Sequence, residues 1–449
     1  MAHLVDHCQQ LKIIEQCLVS PPPGSVPPTS LPLSFLDLPW VYCDTVQSIF
    51  FYELPRSSNH FLQTVLPNLK HSLSHTLQQF FPFAGNLVIP PKPHFPHILY
   101  TPENSISFTI AECTSEFQHL IANTARDVRD SHPFVPVLTT PSSKEDGTWL
   151  LPLMAIQLTI FPNHGFSICI SFRHVVADAR SFLHFMKFWS YLCRTNCDVS
   201  GTQDLLPLLN KDIIKDPKGL KLAFSEEIWN SPIEGIIKVP PKFVDNNDKF
   251  RHAFVLSSDH VEKLKKWVSN ECKSYSGLDS ESLHISTFVV SSSLMWVCKV
   301  QSEDVDASTI ANNNDEIYNM VFLGDCRNRL EFSIPSTYFG NCLVNRFVSL
   351  ERSKLMGDKG IVEAAIDIGR TVRDFQFDAL KDVESFMSFS NGVRKLTHLV
   401  TIAGSPKLGA YETDFGWGKP KKCEILHIEH SSTISLSDCR DDEGGVEVG

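Results

Sequence analysis

Two residues in the stretch GFSICISFRHVVADARSF, Gly165 to Phe182, have side chains and spacing suited to acid–base chemistry: His174 and Asp178, four positions apart. An imidazole titrates near neutrality, so it can take a proton from a substrate and return it within one cycle. With 18 histidines in the chain, about one His-x-x-x-Asp match is expected by chance. Spacing alone therefore leaves two readings of each residue. His174 is either a general base or a hydrogen-bonded histidine at a strand end. Asp178 is either its catalytic partner or an N-cap that accepts from the first free backbone N–H groups of a helix.

The flanking residues say which elements must hold the pair. Phe166, Ile168, Ile170 and Phe172 alternate with smaller or polar residues, the period of a strand. After Arg180 the pattern becomes SFLHFMKFWSYLC, apolar nearly all round, as expected of a buried helix. His174 thus falls where a strand ends and Asp178 just before a helix begins.

Three further segments carry candidate chemistry. In DFGWGKP, Asp414 to Pro420, two glycines flank a tryptophan, which reads as a tight aromatic-anchored turn. Lys419, Lys421 and Lys422 beside it could meet a phosphate or form a solvated basic edge. GDCRNRL and STYFGNCLV are the other two, and Arg327 and Arg329 in the former suit pairing with carboxylates. No G-x-S-x-G elbow, phosphate-binding glycine loop or H-E-x-x-H pattern is present in the sequence, and no metal is expected.

A chain of 449 residues exceeds one simple core and divides most naturally into two domains. Apolar content of 42% with 20% charged residues describes a globular protein, and the net charge of −11 argues against nucleic-acid binding. The 13 cysteines are scattered. Cys193 and Cys197 lie close in sequence without a second pair or a histidine pair to complete a site, so reduced thiols are expected. The N-terminal residues lack the basic and apolar regions of a signal peptide, and no apolar run is long enough to span a membrane. These features lead to a cytoplasmic expectation.

Along the chain, a Pro-rich segment, SPPPGSVPPTSLPLS, precedes a strand-like QSIFFYEL. A helix is expected over HFLQTVLPNLKHSLSHTLQQFF, with Leu69, Leu73 and Leu77 on one face, then strands at ISFTIAE and MAIQLTIF. Residues 196–247 lose periodicity and read as a crossover between an N-terminal domain, 1–195, and a C-terminal domain, 248–449. In the latter, HISTFVVSSSLMWVCKV and IVEAAIDIGRTVRDFQ read as helices, EIYNMVFLGD, CEILHIEH and STISLS as strands, and SEDVDASTIANNNDE as a polar loop. Alternating helices and strands in both halves imply an α/β fold with a sheet in each.

These segments, in this order, resemble the plant BAHD acyl-CoA-dependent acyltransferases. HVVADAR matches the family's H-x-x-x-D, DFGWGKP its D-F-G-W-G in full, and YFGNC the form typical of the anthocyanin and flavonoid glycoside acyltransferase branch. The similarity also runs through SPPPGSVPPTSLPLSFLDLPW, GSPKLGAYETDFGWGKP and SLSDCRDDEGGVEVG, nearly the whole chain. Family members continue past the equivalent of Gly449 with a final helix.

The resemblance implies two chloramphenicol-acetyltransferase-like α/β domains, each a mixed β-sheet flanked by helices, with a channel between them. His174 would lie in that channel as the general base of a ternary-complex mechanism. Asp178 would point away and pair with Arg327, holding the histidine loop in shape. Asp414, Gly416, Trp417 and Gly418 would likewise support the structure, while Arg180, Tyr338, Asn341 and Lys419 are candidates for substrate contact. Acyl-CoA would be a co-substrate, with no permanently bound cofactor, and the acceptor a sugar hydroxyl of an anthocyanin or other phenolic glycoside. A monomer without nucleic-acid or membrane partners is expected.

Malonyl-using members often read H-A-V-L-D-G-K where this chain reads HVVADAR, which favours a hydroxycinnamoyl donor. Malonyl-CoA stays open because Arg180 could hold its carboxylate. The alternatives to an O-acyltransferase are a non-catalytic homologue on the same scaffold and an amine-acylating enzyme of the same fold.

Overall fold

The alternating run before His174 is a strand, Gly165–Arg173, and all nine of its residues are buried. Alternation ordinarily marks a strand with one wet face. Here a helix covers one face and an apolar cluster the other, and the strand lies inside a six-stranded mixed sheet. Its members are β1 (Leu11–Val19), β2 (Thr45–Glu53), β3 (Ile106–Cys113), β4 (Met154–Phe161), β5 (Gly165–Arg173) and β6 (Lys422–Ile425). The sheet order is β1-β3-β4-β5-β2-β6, antiparallel except for the parallel pairing of β3 with β4.

The larger side chains of β5 face two helices, α1 (Leu66–Gln79) and α2 (Ala179–Arg194). Phe172 stacks on Phe182 of α2, with ring centroids 4.7 Å apart. Leu69, Leu73 and Leu77 of α1 are fully buried, as their spacing requires. On the opposite face, Cys169 joins Ile49, Phe51, Phe134 and Phe161 in a second apolar cluster. Helix α2 is less uniformly buried than its composition suggests: Arg180, His184, Lys187, Tyr191 and Arg194 recur every three or four positions and form a wetter stripe.

The structure, a computed structural model, describes residues 11–43, 45–236, 249–276, 283–304, 316–330, 332–381, 383–385, 398–430 and 432–449. It divides into two units whose boundaries differ from the sequence expectation. The first comprises Met1–Ala253, Pro335–Asn341 and Ala410–His427; the second comprises Phe254–Ile334, Cys342–Gly409 and Ile428–Gly449. Most of YFGNC and all of DFGWG therefore pack with the N-terminal half. The stretch read as a crossover also belongs to the first unit and carries a helix, Leu220–Asn230, anchored by buried Phe224 and Ile228. Residues 237–248 of that stretch, and most of SEDVDASTIANNNDE, lie outside the described residues.

The second unit has its own six-stranded mixed sheet, ordered Phe254–Leu256, Val446–Val448, Thr433–Asp438, Leu399–Gly404, Ile317–Asp325, Leu343–Glu351. Helices Ser258–Ser276, Thr287–Asp304 and Gly360–Phe377 share its core, with Trp296 and Ile368 buried beside Met320 and Ile402. CEILHIEH is a strand only to Ile425, followed by a 3-10 turn at His427–His430, where the ring Nδ1 of His427 accepts from the Gln47 N–H at 3.1 Å. Among the described residues, no helix is long and apolar enough to cross a membrane.

Candidate active site

Strand β5 ends at Arg173, and His174–Val176 form a single 3-10 turn before Asp178 opens α2. The Asp178 Oδ1 accepts from the Ser181 N–H at 2.9 Å, a helix N-cap. Its backbone N–H reaches the Gly340 carbonyl at 3.4 Å, while the Ser181 hydroxyl donates to the same carbonyl at 2.9 Å. The start of α2 is thus stitched to the segment Tyr338–Asn341, and this brings Asn341 to the histidine.

The Asn341 side chain determines which nitrogen of His174 is free to accept a proton. Its Nδ2 faces three acceptors: the carbonyl of His174 at 2.9 Å, that of Val175 at 3.1 Å and Asp37 Oδ1 at 3.2 Å. An amide nitrogen can only donate, so its position among three acceptors fixes the orientation of the group. The amide oxygen is then the atom 3.1 Å from His174 Nδ1. Because that oxygen can only accept, Nδ1 carries the proton and Nε2 keeps a free lone pair.

Asp37 anchors Asn341 from behind. It is fully buried and accepts from the Ser34 N–H at 2.9 Å, the Ser34 hydroxyl at 2.7 Å and the Asn341 N–H at 2.8 Å. The buried Lys211 ammonium lies 3.3 Å from its Oδ2 and also over the ring of Tyr338, 5.2 Å from the centroid. Gly340 leaves this space free: at φ +147° a Cβ there would stand 2.0 Å from Lys211 Nζ.

Trp40 completes the setting. Its ring lies nearly parallel to the imidazole, at 11°, with centroids 3.8 Å apart. An aromatic face in this position both fixes the ring plane and favours the imidazolium formed by proton uptake. His174 itself remains partly exposed. Burial pushes its pKa below the ordinary 6.5, with the backbone, Asp178, Asn341 and Asp37 pulling it back up to smaller extents. The imidazole is therefore neutral at neutral pH. It is equipped to accept a proton at Nε2.

The remaining predicted residues fall in different places. Arg327 belongs to the second unit, where its Nη1 lies 3.2 Å from Asp325 Oδ1. Tyr338 and Asn341, expected to touch substrate, are buried side chains, and what Asn341 touches is the imidazole and its backbone. Arg180 and Lys419 are exposed. Of the other lysines, Lys421 pairs with Glu53 at 2.5 Å and buried Lys422 donates to Asn123 at 2.6 Å.

DFGWG is an anchored loop. Asp414 Oδ1 accepts from the N–H groups of Gly416, at 2.7 Å, and Gly418, at 2.9 Å. Phe415 meets Trp189 edge-on, and Trp417 does the same to Phe166 at the start of β5. His174 lies eight positions beyond Phe166, roughly 26 Å at the usual strand rise. The loop stabilises the far end of the strand that carries the histidine.

Asp37, Trp40 and Lys211 escaped the sequence reading. Asp37 and Trp40 stand in the quoted SFLDLPW, where Ser34-x-x-Asp37 ahead of a proline was the available signal. Lys211 left none, because only the fold pairs it with Asp37.

The family model described as the Transferase family matches residues 10–449. Coumaroyl-CoA:anthocyanidin 3-O-glucoside-6''-O-coumaroyltransferase 1 of Arabidopsis thaliana is 40% identical, with 99% of this chain and 95% of its own length aligned. Malonyl-coenzyme A:anthocyanin 3-O-glucoside-6''-O-malonyltransferase of Dahlia pinnata is 32% identical over 99% of this chain and 95% of its own length. Vinorine synthase has the same fold, with a TM-score of 0.67 at 19% identity over 98% of this chain and 94% of that one. With its length matched almost end to end, the chain belongs to the Transferase family, the BAHD acyl-CoA-dependent acyltransferases.

Proposed function

We propose that the protein transfers a hydroxycinnamoyl group from CoA to a sugar hydroxyl of an anthocyanin or related phenolic glucoside. His174 is the general base. The observation that carries this assignment is the fixed amide of Asn341, which leaves His174 Nε2 as the free base. The hydroxycinnamoyl preference is supported by the 40% identity to an anthocyanidin glucoside coumaroyltransferase, against 32% to an anthocyanin malonyltransferase. Malonyl-CoA is the competing donor, with Arg180 as the cation that would meet its carboxylate.

In this mechanism Nε2 takes the proton of the acceptor hydroxyl as that oxygen attacks the thioester carbonyl. The tetrahedral intermediate collapses, the carbon–sulfur bond breaks, and the departing CoA thiolate takes the proton from the imidazolium. Both substrates are bound at once, so positioning supplies much of the acceleration and no acyl-enzyme forms. Asp178 holds the turn that aims the imidazole, and its charge favours the imidazolium. Acyl-CoA is a co-substrate and not a resident cofactor. The protein works as a cytoplasmic monomer.

Purified protein incubated with p-coumaroyl-CoA or malonyl-CoA and an anthocyanidin 3-O-glucoside tests this directly, by CoA release and product mass. Faster turnover with coumaroyl-CoA to give an ester is expected, and His174→Ala should abolish it without loss of fold. Preference for malonyl-CoA would reverse the donor assignment, and activity retained in His174→Ala would remove the base.

A further inference from the structure

The C-terminal end of α2 and the middle of α1 meet at the surface of the first unit, and three ligating side chains converge there. His71 and His75 are one helical turn apart on α1, so their imidazoles emerge on one side. Their ring centroids are 4.6 Å apart. Cys197 follows α2, and its sulfur and the histidine nitrogens all lie within 4.8 Å of one another. Asn68 of α1 donates to the Cys193 carbonyl at 2.9 Å, which fixes the two helices against each other beside the trio.

The backbone at Cys197 is a second, independent observation. The Cys197 N–H bonds the Leu192 carbonyl at 2.8 Å, and Asn196 has φ +51°, the left-handed helix end that asparagine tolerates. Cys197 continues with φ +64°, a conformation that costs a residue bearing a Cβ and that cysteine has no preference for. A strained backbone at such a residue points to a role for its side chain. The thiol of this residue is the one that lies beside the histidine pair.

We propose that His71, His75 and Cys197 bind a divalent transition ion of the zinc class. Two imidazoles and one thiolate are ligands that zinc accepts and that calcium and magnesium, which take oxygen, do not. A tetrahedral ion with bonds of about 2.0–2.3 Å fits a trio whose ligand atoms are no more than 4.8 Å apart once side-chain rotation draws them onto it. His71 is exposed and the other two are half-buried, which leaves an entry path and a fourth position for water. The sequence offered Cys197 no neighbouring histidine pair; the fold supplies one from an earlier helix. The site lies one full length of α2, roughly 25 Å, from His174, so it ties α1 to α2 without entering the reaction.

The test uses the purified full chain, kept reduced, titrated with Co²⁺ as a spectroscopic substitute for Zn²⁺. One equivalent should bind and give thiolate-to-cobalt charge-transfer absorption. Cys197→Ser should remove that absorption. His71→Gln or His75→Gln should weaken binding about 100-fold or more, since even outer-shell partners of a metal cost 10–100-fold. Cys197→Gly relieves the backbone, so it should raise the melting temperature of the metal-free protein while abolishing any further rise with Zn²⁺. Failure of the wild-type chain to take up Co²⁺, charge transfer that survives Cys197→Ser, or affinity unchanged in both histidine variants would overturn the site.

Discussion

Asn341 holds His174 at two points, its amide nitrogen on the histidine carbonyl at 2.9 Å and its amide oxygen 3.1 Å from the ring Nδ1. One side chain therefore sets both the path of the turn and the tautomer of the ring. Asp178, the other half of the sequence motif, caps α2, bonds Gly340 and raises the pKa of the ring through its charge. The side chain that hydrogen-bonds the imidazole is the asparagine of YFGNC.

Substitution at Asn341 separates orientation from simple size. Asn341→Ala frees the ring and leaves Asp37 short of a donor, and kcat should fall by about 100-fold, the lower range of what a positioned base supplies. Asn341→Asp keeps the shape but places an oxygen against the two carbonyls and Asp37, three groups that only accept. It should lose stability by about 3 kcal/mol or more, measured by urea unfolding. An aspartate variant as stable as wild type would mean that the amide is turned the other way.

The pH dependence follows from the direction of the His174 shift. Its folded pKa lies below 6.5 because burial disfavours the imidazolium. The neutral base thus persists at pH 6.5, and the acid limb of kcat/KM should fall below that value. The same shift affects stability. A depressed pKa means that the unfolded chain binds the proton first, so the contribution of His174 is intact above 6.5 and is lost as pH falls through the folded pKa. Stability measured against pH should decline less steeply in His174→Ala across that window. An acid limb above 6.5 would contradict the assignment.

What the sequence disclosed was local. The strand Gly165–Arg173, the turn at His174 and the cap at Asp178 follow from alternation and from one acidic residue before an apolar helix. The residues around the imidazole were not readable in this way. Asp37 and Trp40, Lys211, and Asn341 come from three distant parts of the chain, and no periodicity relates them. YFGNC stood out as a motif, yet its asparagine was expected to face substrate because a motif names residues without saying which way they point. The two compact units divide the chain differently from the sequence expectation for a similar reason. Residues 335–341 and 410–427 return to the first unit, and a chain that crosses back twice has no single point where composition changes.

The Asp37–Lys211 pair gives a test of the anchor behind the site. Both side chains are buried, and their polar atoms are 3.3 Å apart. Lys211→Met should cost about 3–5 kcal/mol, because it strands a buried carboxylate. Adding Asp37→Asn should recover only part of that loss, since it removes the charge but turns an amide nitrogen toward N–H groups that only donate. Urea unfolding of the two single variants and the double variant measures the coupling. Additive losses would mean that the ammonium and carboxylate do not interact.

The loop Asp414–Gly418 should prove to be a matter of stability and not of chemistry. Asp414 Oδ1 holds two backbone N–H groups in place, and Trp417 caps Phe166 edge-on with centroids 5.7 Å apart. Asp414→Ala releases both N–H groups in a part-exposed turn, so a loss of about 1–2 kcal/mol is expected, typical of a removed cap. Trp417→Ala removes an aromatic contact worth about 0.5–1.5 kcal/mol beyond its buried area. Both changes act at the end of β5 remote from His174, where the imidazole, Asn341 and Trp40 make none of their contacts. The pH at which kcat/KM reaches half its plateau should therefore stay at the wild-type value in each variant, while the melting temperature falls. A displaced acid limb in either variant would show that the loop reaches the imidazole after all.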